Sequence, residues 1–115
     1  MKSNRVYLLH IAECIRRIEH IASSGRDVFE SSHVLQDAVL RNLQVLAEST
    51  QRLSAELKKE QPEVEWQKIG AFRNVLVHDY LGIDLDQVWQ IIQEDIPKLA
   101  GAIGAIINST HADGV

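Results

Sequence analysis

Leu8, Ile11, Ile15, Ile18 and Ala22 follow one another at spacings of 3, 4, 3 and 4 residues. That series lies along one stripe of an α-helix, whereas in a strand it would be scattered over both faces. Glu13, Arg16, Arg17 and Glu19 fall on the other side of the same helix, predicted over residues 4–23. Ser23-Ser24-Gly25 ends it. The segment Arg26 to Ser32 reads as a loop with Phe29 tucked inward.

The rhythm recurs three more times. Leu35, Val39, Leu43, Leu46, Thr50, Leu53 and Leu57 predict a second helix over 32–59, capped by Ser31 or Ser32. At 1.5 Å per residue it would be about 42 Å long. A chain of 115 residues is short to bury that length, so a bend near Glu48-Ser49-Thr50, or a partner covering the excess, is expected. Pro62 forbids continuation. A third helix over 63–78 turns Trp66, Ile69, Phe72 and Leu76 inward, with Gly82 marking its C-terminal turn. Asp84 caps a fourth helix running to about Asn108, and Pro97 is expected to kink or restart it. Residues 109–115 read as a disordered tail, so residues 1–108 make one helical unit. Amphipathic helices joined by short loops imply an all-α antiparallel bundle.

Composition agrees. Six Gly and two Pro in 115 residues are too few for a turn-rich sandwich, and aromatic residues are only 5%. The size excludes separate cofactor and substrate domains. The longest charge-free apolar run, LAGAIGAII at 99–107, falls far short of the roughly 20 residues of a membrane span. The opening MKSNRVYLLHIAECIRR lacks an uninterrupted apolar core and a small-residue cleavage site, and is expected to be no signal peptide. A single cysteine, Cys14, closes no intrachain disulfide, which fits a reducing cytoplasm.

The formal net charge is −4, unevenly spread. Residues 1–60 carry 9 basic and 8 acidic groups, and residues 61–115 carry 3 and 8. The sums are +1 and −5. The chain as a whole is no polycation, so any RNA contact must be local or built from more than one chain. Arg16 and Arg17 are candidates for such contacts.

Chemistry concentrates at the end of the third helix, in Arg73-Asn74-Val75-Leu76-Val77-His78-Asp79-Tyr80. At 100° per residue, Asn74 and His78 lie about 40° apart, one turn from each other. A histidine takes or gives a proton at neutral pH. An arginine holds a phosphate by two parallel bonds and stabilises the added charge of a phosphorane. With an asparagine to orient them, these parts suffice to cut RNA without a metal or cofactor, because the 2′-OH of the substrate is the nucleophile. The same groups also suit a plainly structural role, since basic residues near a helix C-terminus favour its dipole. The residues alone leave both readings open.

Other candidates carry less. His10 and Cys14 stand one turn apart, but no third metal ligand follows at a useful spacing. His20 and His33 suit solvent, and His111 lies in the tail. Glu48 either steers Arg73 or Arg41 or is a surface glutamate. Trp66 and Trp89 sit at core spacing.

RNVLVHDY resembles the R-x4-H motif of HEPN domains and, more narrowly, the R-x4-H-x-Y motif of HepT-type toxins. YLLHIAECIRRIEHI is similar to the opening of that family, AVLRNLQVLAES to its second helix, QPEVEW to the segment before the motif, and VWQIIQEDIPKL to its fourth helix. Ala47-Glu48-Ser49 stands where the family usually has Gly-Glu-Ala. The resemblance implies a HEPN-like bundle of four to five helices that forms a homodimer, with two motifs meeting in a composite cleft. It implies a ribonuclease toxin cutting RNA, such as tRNA or mRNA, with no DNA or membrane partner. Arg73 and His78 would be catalytic with Asn74 in support, Arg73 would also bind RNA, and Tyr80 would be the residue modified with AMP by an MntA-like minimal nucleotidyltransferase antitoxin. The competing reading is a non-catalytic helical module that binds that nucleotidyltransferase or presents a substrate to it.

Overall fold

The computed structural model describes residues 3–77 and 84–112, of which 74–77 and 110–112 are described by their backbone alone. Every regular element among them is helical. They are α1 (Asn4–Ala22), α2 (Arg26–Glu30), α3 (His33–Gln51), α4 (Ala55–Lys59), α5 (Trp66–Val77), α6 (Leu85–Gln90), a π-helical segment (Ile91–Asp95) and α7 (Ile96–Ala112). This is the all-α bundle that the periodicity predicts.

The apolar stripes find one another in a single core. Ile11 and Ile18 of α1, Val39, Leu43, Leu46 and Ala47 of α3, and Ile96 and Leu99 of α7 are wholly buried. Helix α3 packs against α1 on one flank and α5 on the other, while α7 lies against α1. Truncating one such leucine to alanine costs about 2–5 kcal/mol, a large part of the stability of a domain this size.

The segment 26–32 is not a loop. Gly25 adopts φ +96°, a conformation open to glycine, and from there the chain winds into the short α2. Phe29 is buried as expected and meets Trp89 with ring centroids 5.6 Å apart. Buried Gln36 donates from Nε2 to the carbonyls of Phe29 and Glu30, both at 3.1 Å, satisfying the end of α2 from inside α3. Ser32 is the cap of α3, its side chain accepting from the Leu35 amide.

The predicted 32–59 helix is two helices, and the break falls just beyond the expected bend. Helix α3 closes with short i→i−3 bonds from the amides of Arg52 and Leu53. Ser54 then caps α4, accepting from the Leu57 amide at 3.2 Å. Asn4 clamps the turn: its Oδ1 accepts from the Ser54 amide at 3.0 Å and its Nδ2 donates to Ser54 Oγ at 3.1 Å. Leu53 and Leu57 stay buried across the break, so the excess length folds back over the core.

The last predicted helix contains a surprise at Pro97. Asp84 caps α6 as expected, Oδ1 accepting from the Gln87 amide. The helix then widens into the π segment, where the Ile96 amide donates to the Ile91 carbonyl. Pro97 follows at once, the second residue of α7, with the backbone still helical at Ile96 (φ −64°, ψ −44°). The helix neither stops nor restarts there; it runs on from α6 through the π segment into α7 without a non-helical residue. Helix α7 runs to Ala112, so the boundary expected at 108 lies inside it.

Phe29→Ala should therefore lower unfolding free energy by about 3–5 kcal/mol in a urea titration. Val34→Ala, at an exposed position, should change it by no more than about 0.5 kcal/mol. Equal effects would contradict the burial pattern. Cys14 is buried, and that burial pushes its thiol pKa up, outweighing the opposing charge of nearby Arg17. It should resist iodoacetamide at neutral pH in the native protein and react on denaturation; rapid native alkylation would show the stripe to be open.

Candidate functional site

The site begins with how α5 is held. At its start, Trp66 Nε1 donates to the carbonyls of Lys58 at 3.1 Å and Gln61 at 3.2 Å, tying the helix to the end of α4. Ile69 and Phe72 are buried. Gly70 faces the Gln51 side chain at the end of α3, whose Nε2 a Cβ there would meet at 3.2 Å. On the other flank, Lys68 reaches Asp95 of the π segment at 3.1 Å and Glu65 at 3.9 Å. The Asp95 side chain is only 11% exposed, so this pair is better shielded than an open surface bridge. The hydrogen bond that Lys68 donates to the Asp95 carboxylate raises the lysine's pKa above its ordinary value. A cleft of about 180 Å³ opens beside the pair, with Phe72, Gln87, Gln90 and Ile91 in its walls.

Arg73 projects from this pinned helix and is exposed. None of the ion pairs among the described residues includes it. An exposed guanidinium presents a planar fork that suits an external anion. Asn74 follows it within α5, described by backbone alone. His78, Asp79, Tyr80 and Gly82 lie outside the described residues, so the geometry here is that of the helix presenting the motif and of Arg73.

Arg16 and Arg17 stand on the exposed face of α1, both engaged with one carboxylate. Arg16 donates to Glu13 from Nε at 3.0 and 3.1 Å, and Arg17 approaches it at 3.5 Å. The Arg16 hydrogen bonds hold the Glu13 carboxyl below its usual range. These arginines and Arg73 sit on different helices that each pack on α3.

The remaining candidates separate cleanly. His10 is exposed, its ring edge-on to Tyr7 with centroids 6.3 Å apart, whereas Cys14 is buried. Among the described residues no group of three or more His, Cys, Asp or Glu is placed to hold a metal ion. Glu48 is exposed and pairs with neither Arg41 nor Arg73. His20 and His33 are exposed, and Trp66 and Trp89 are partly buried against the core. Sequence reasoning passed over Arg52 and gave Arg41 no role of its own. Both line a groove of about 630 Å³ between α1 and α3. The signal was present in the outward stripe 41, 45, 48 and 52, the helical complement of the buried one. Among the described residues no helix is long and apolar enough to cross a membrane.

A family model described as "Ribonuclease HepT-like" matches residues 11–106. The chain is 34% identical over 99 residues to the "Gamma-glutamylcyclotransferase and putative RNase" of Methanocaldococcus jannaschii, covering 85% of this chain and 45% of that protein. The chain thus spans less than half the length of that relative. It is 32% identical over 108 residues to the "Putative RNase" of Caldanaerobacter subterraneus subsp. tengcongensis, covering 93% and 96% of the two chains. It is 33% identical over 104 residues to the "Probable ribonuclease HepT" of Thermococcus cleftensis, covering 87% and 92%. No solved structure matches the chain.

Proposed function

The chain belongs to the HepT-like ribonuclease family, and from that premise we propose that it is the toxin of a toxin–antitoxin pair, cutting RNA in the cytoplasm without a metal. The observation that carries the reading is Arg73, exposed and in none of the ion pairs among the described residues, on a helix fixed at both flanks. His78 takes the proton of a ribose 2′-OH. The 2′ oxygen attacks phosphorus, the bond from phosphorus to the 5′ oxygen breaks, and a protonated histidine returns a proton to that leaving oxygen. Arg73 offsets the extra negative charge in between, and Asn74 orients the phosphate or the imidazole. The products are a 2′,3′-cyclic phosphate and a 5′-OH.

One motif supplies one histidine and one arginine, which is thin for a step that needs both a base and an acid. A two-fold dimer sets two motifs side by side and supplies both. Control falls to Tyr80, two residues past His78. A minimal nucleotidyltransferase partner would transfer AMP to its hydroxyl, adding a phosphodiester with about one negative charge near Arg73. That charge competes with RNA for the cationic subsite. The −5 sum over residues 61–115 favours the second reading, a non-catalytic module for the nucleotidyltransferase.

Two experiments separate these. Arg73→Ala and His78→Ala should each cut RNA cleavage by about 10²–10⁴-fold with circular dichroism and sedimentation unchanged, and excess chelator should leave the wild-type rate intact. Wild-type cleavage by His78→Ala would remove the catalytic assignment. Incubation with the partner nucleotidyltransferase and ATP should add whole AMP masses to the wild type and none to Tyr80→Phe; an unchanged wild-type mass would remove the control step.

A further inference from the structure

The arginines of this chain fall into two sets. Arg16 and Arg17 share Glu13, and Arg26 is held by Glu30 and Asp86. Among the described residues, no ion pair includes Arg5, Arg41, Arg52 or Arg73. Arg41 donates a long 3.5 Å hydrogen bond to the neutral Gln44. Arg41 and Arg52 line the same groove between α1 and α3. They are eleven residues apart, which puts them about 16 Å apart along the helix axis. A single folded anion cannot bridge that span, but a chain of phosphates can.

The opposite wall of the groove carries Tyr7 and His10, one edge-on to the other. His10 is exposed and Tyr7 half-exposed. Exposed rings beside unpaired guanidinium groups are the combination that single-stranded nucleic acid uses, with bases stacking and the backbone tracking the charges. Glu48 is the one carboxylate in the lining. It lies between the two arginines on the stripe and opposes any polyanion there.

We propose that the groove between α1 and α3 is a track for the backbone of single-stranded RNA, with Arg41 and Arg52 as phosphate contacts and Tyr7 and His10 as the stacking wall. This rests on the ribonuclease reading and extends it from the reacting phosphate to the length of substrate beyond it. Helix α3 carries the track on one flank and packs against α5, the helix of Arg73, on the other. Such contacts are sequence-neutral, so the track adds affinity without choosing the cut site.

The test is the salt dependence of binding, read by fluorescence anisotropy with a short labelled 2′-O-methyl oligouridylate, which lacks the nucleophile and stays uncut. Each phosphate contact to a single strand contributes about 0.7 to the slope of log K against log salt. Arg41→Gln with Arg52→Gln should lower that slope by about 1.4 and weaken binding about tenfold or more at low salt. Arg41→Lys with Arg52→Lys should restore the slope, because charge is what it counts. Glu48→Gln should tighten binding about two- to fivefold. An unchanged slope in the double glutamine variant overturns the track. So does a shift in its sedimentation, which assigns the arginines to contact with a second copy of the chain. If the wild type cleaves RNA while the slope stays put, only the track fails; if it neither binds nor cleaves RNA, the ribonuclease reading fails first and the track with it.

Discussion

Everything in the structure leans on the apolar stripe of α3. Val39, Leu43, Leu46 and Ala47 are sealed from solvent, and α1 and α5 are oriented by packing against the helix that carries them. Buried apolar area is non-directional, so it gathers the helices without fixing their rotation or ends. Polar contacts at the helix termini do that. Asn4 holds the turn at Ser54, Gln36 holds the end of α2, and Trp66 fixes the start of α5. The motif-bearing helix thus inherits its position from a core that has no part in the chemistry.

The charge distribution resolves an apparent conflict between a net charge of −4 and a polyanionic substrate. Net charge is a weak guide to local charge, because carboxylates cluster on some basic groups and leave others open. Glu13 serves two arginines, Asp86 and Glu30 serve a third, and Asp95 with Glu65 holds Lys68. On the proposed reading an incoming phosphate meets the unmatched remainder, which among the described residues includes Arg73 on α5 and Arg41 and Arg52 in the groove beside α1. At physiological ionic strength screening acts over about 8 Å, so those local charges outweigh distant carboxylates.

The long helices were legible because their stripes run for many turns, and α1 matches its predicted span to within one residue. Helix α2 was not, since five residues are too few to show a period. The break after α3 was hidden because Leu53 and Leu57 keep the apolar phase across it; only Ser54, a capping residue in mid-pattern, marked the spot. The π segment left no trace beyond Pro97, which constrains the turn before it without saying how that turn adjusts. For the site, the motif was readable as residue types at a spacing, and Arg73 is exposed as that role requires. Arg41 and Arg52 were legible as part of an outward stripe but not as unpaired charges, because an exposed arginine looks the same in sequence whether or not a carboxylate reaches it.

If RNA is cut by its own 2′-OH in a site built on Arg73 and His78, the chemistry of the cut ends records it most directly. A synthetic RNA cleaved by the purified protein should yield fragments ending in 2′,3′-cyclic phosphate and 5′-OH, and one with a single 2′-deoxyribose at the mapped cut should stay whole there. Fragments bearing 5′-phosphate and 3′-OH, or cleavage that proceeds at the deoxy position, would contradict the account.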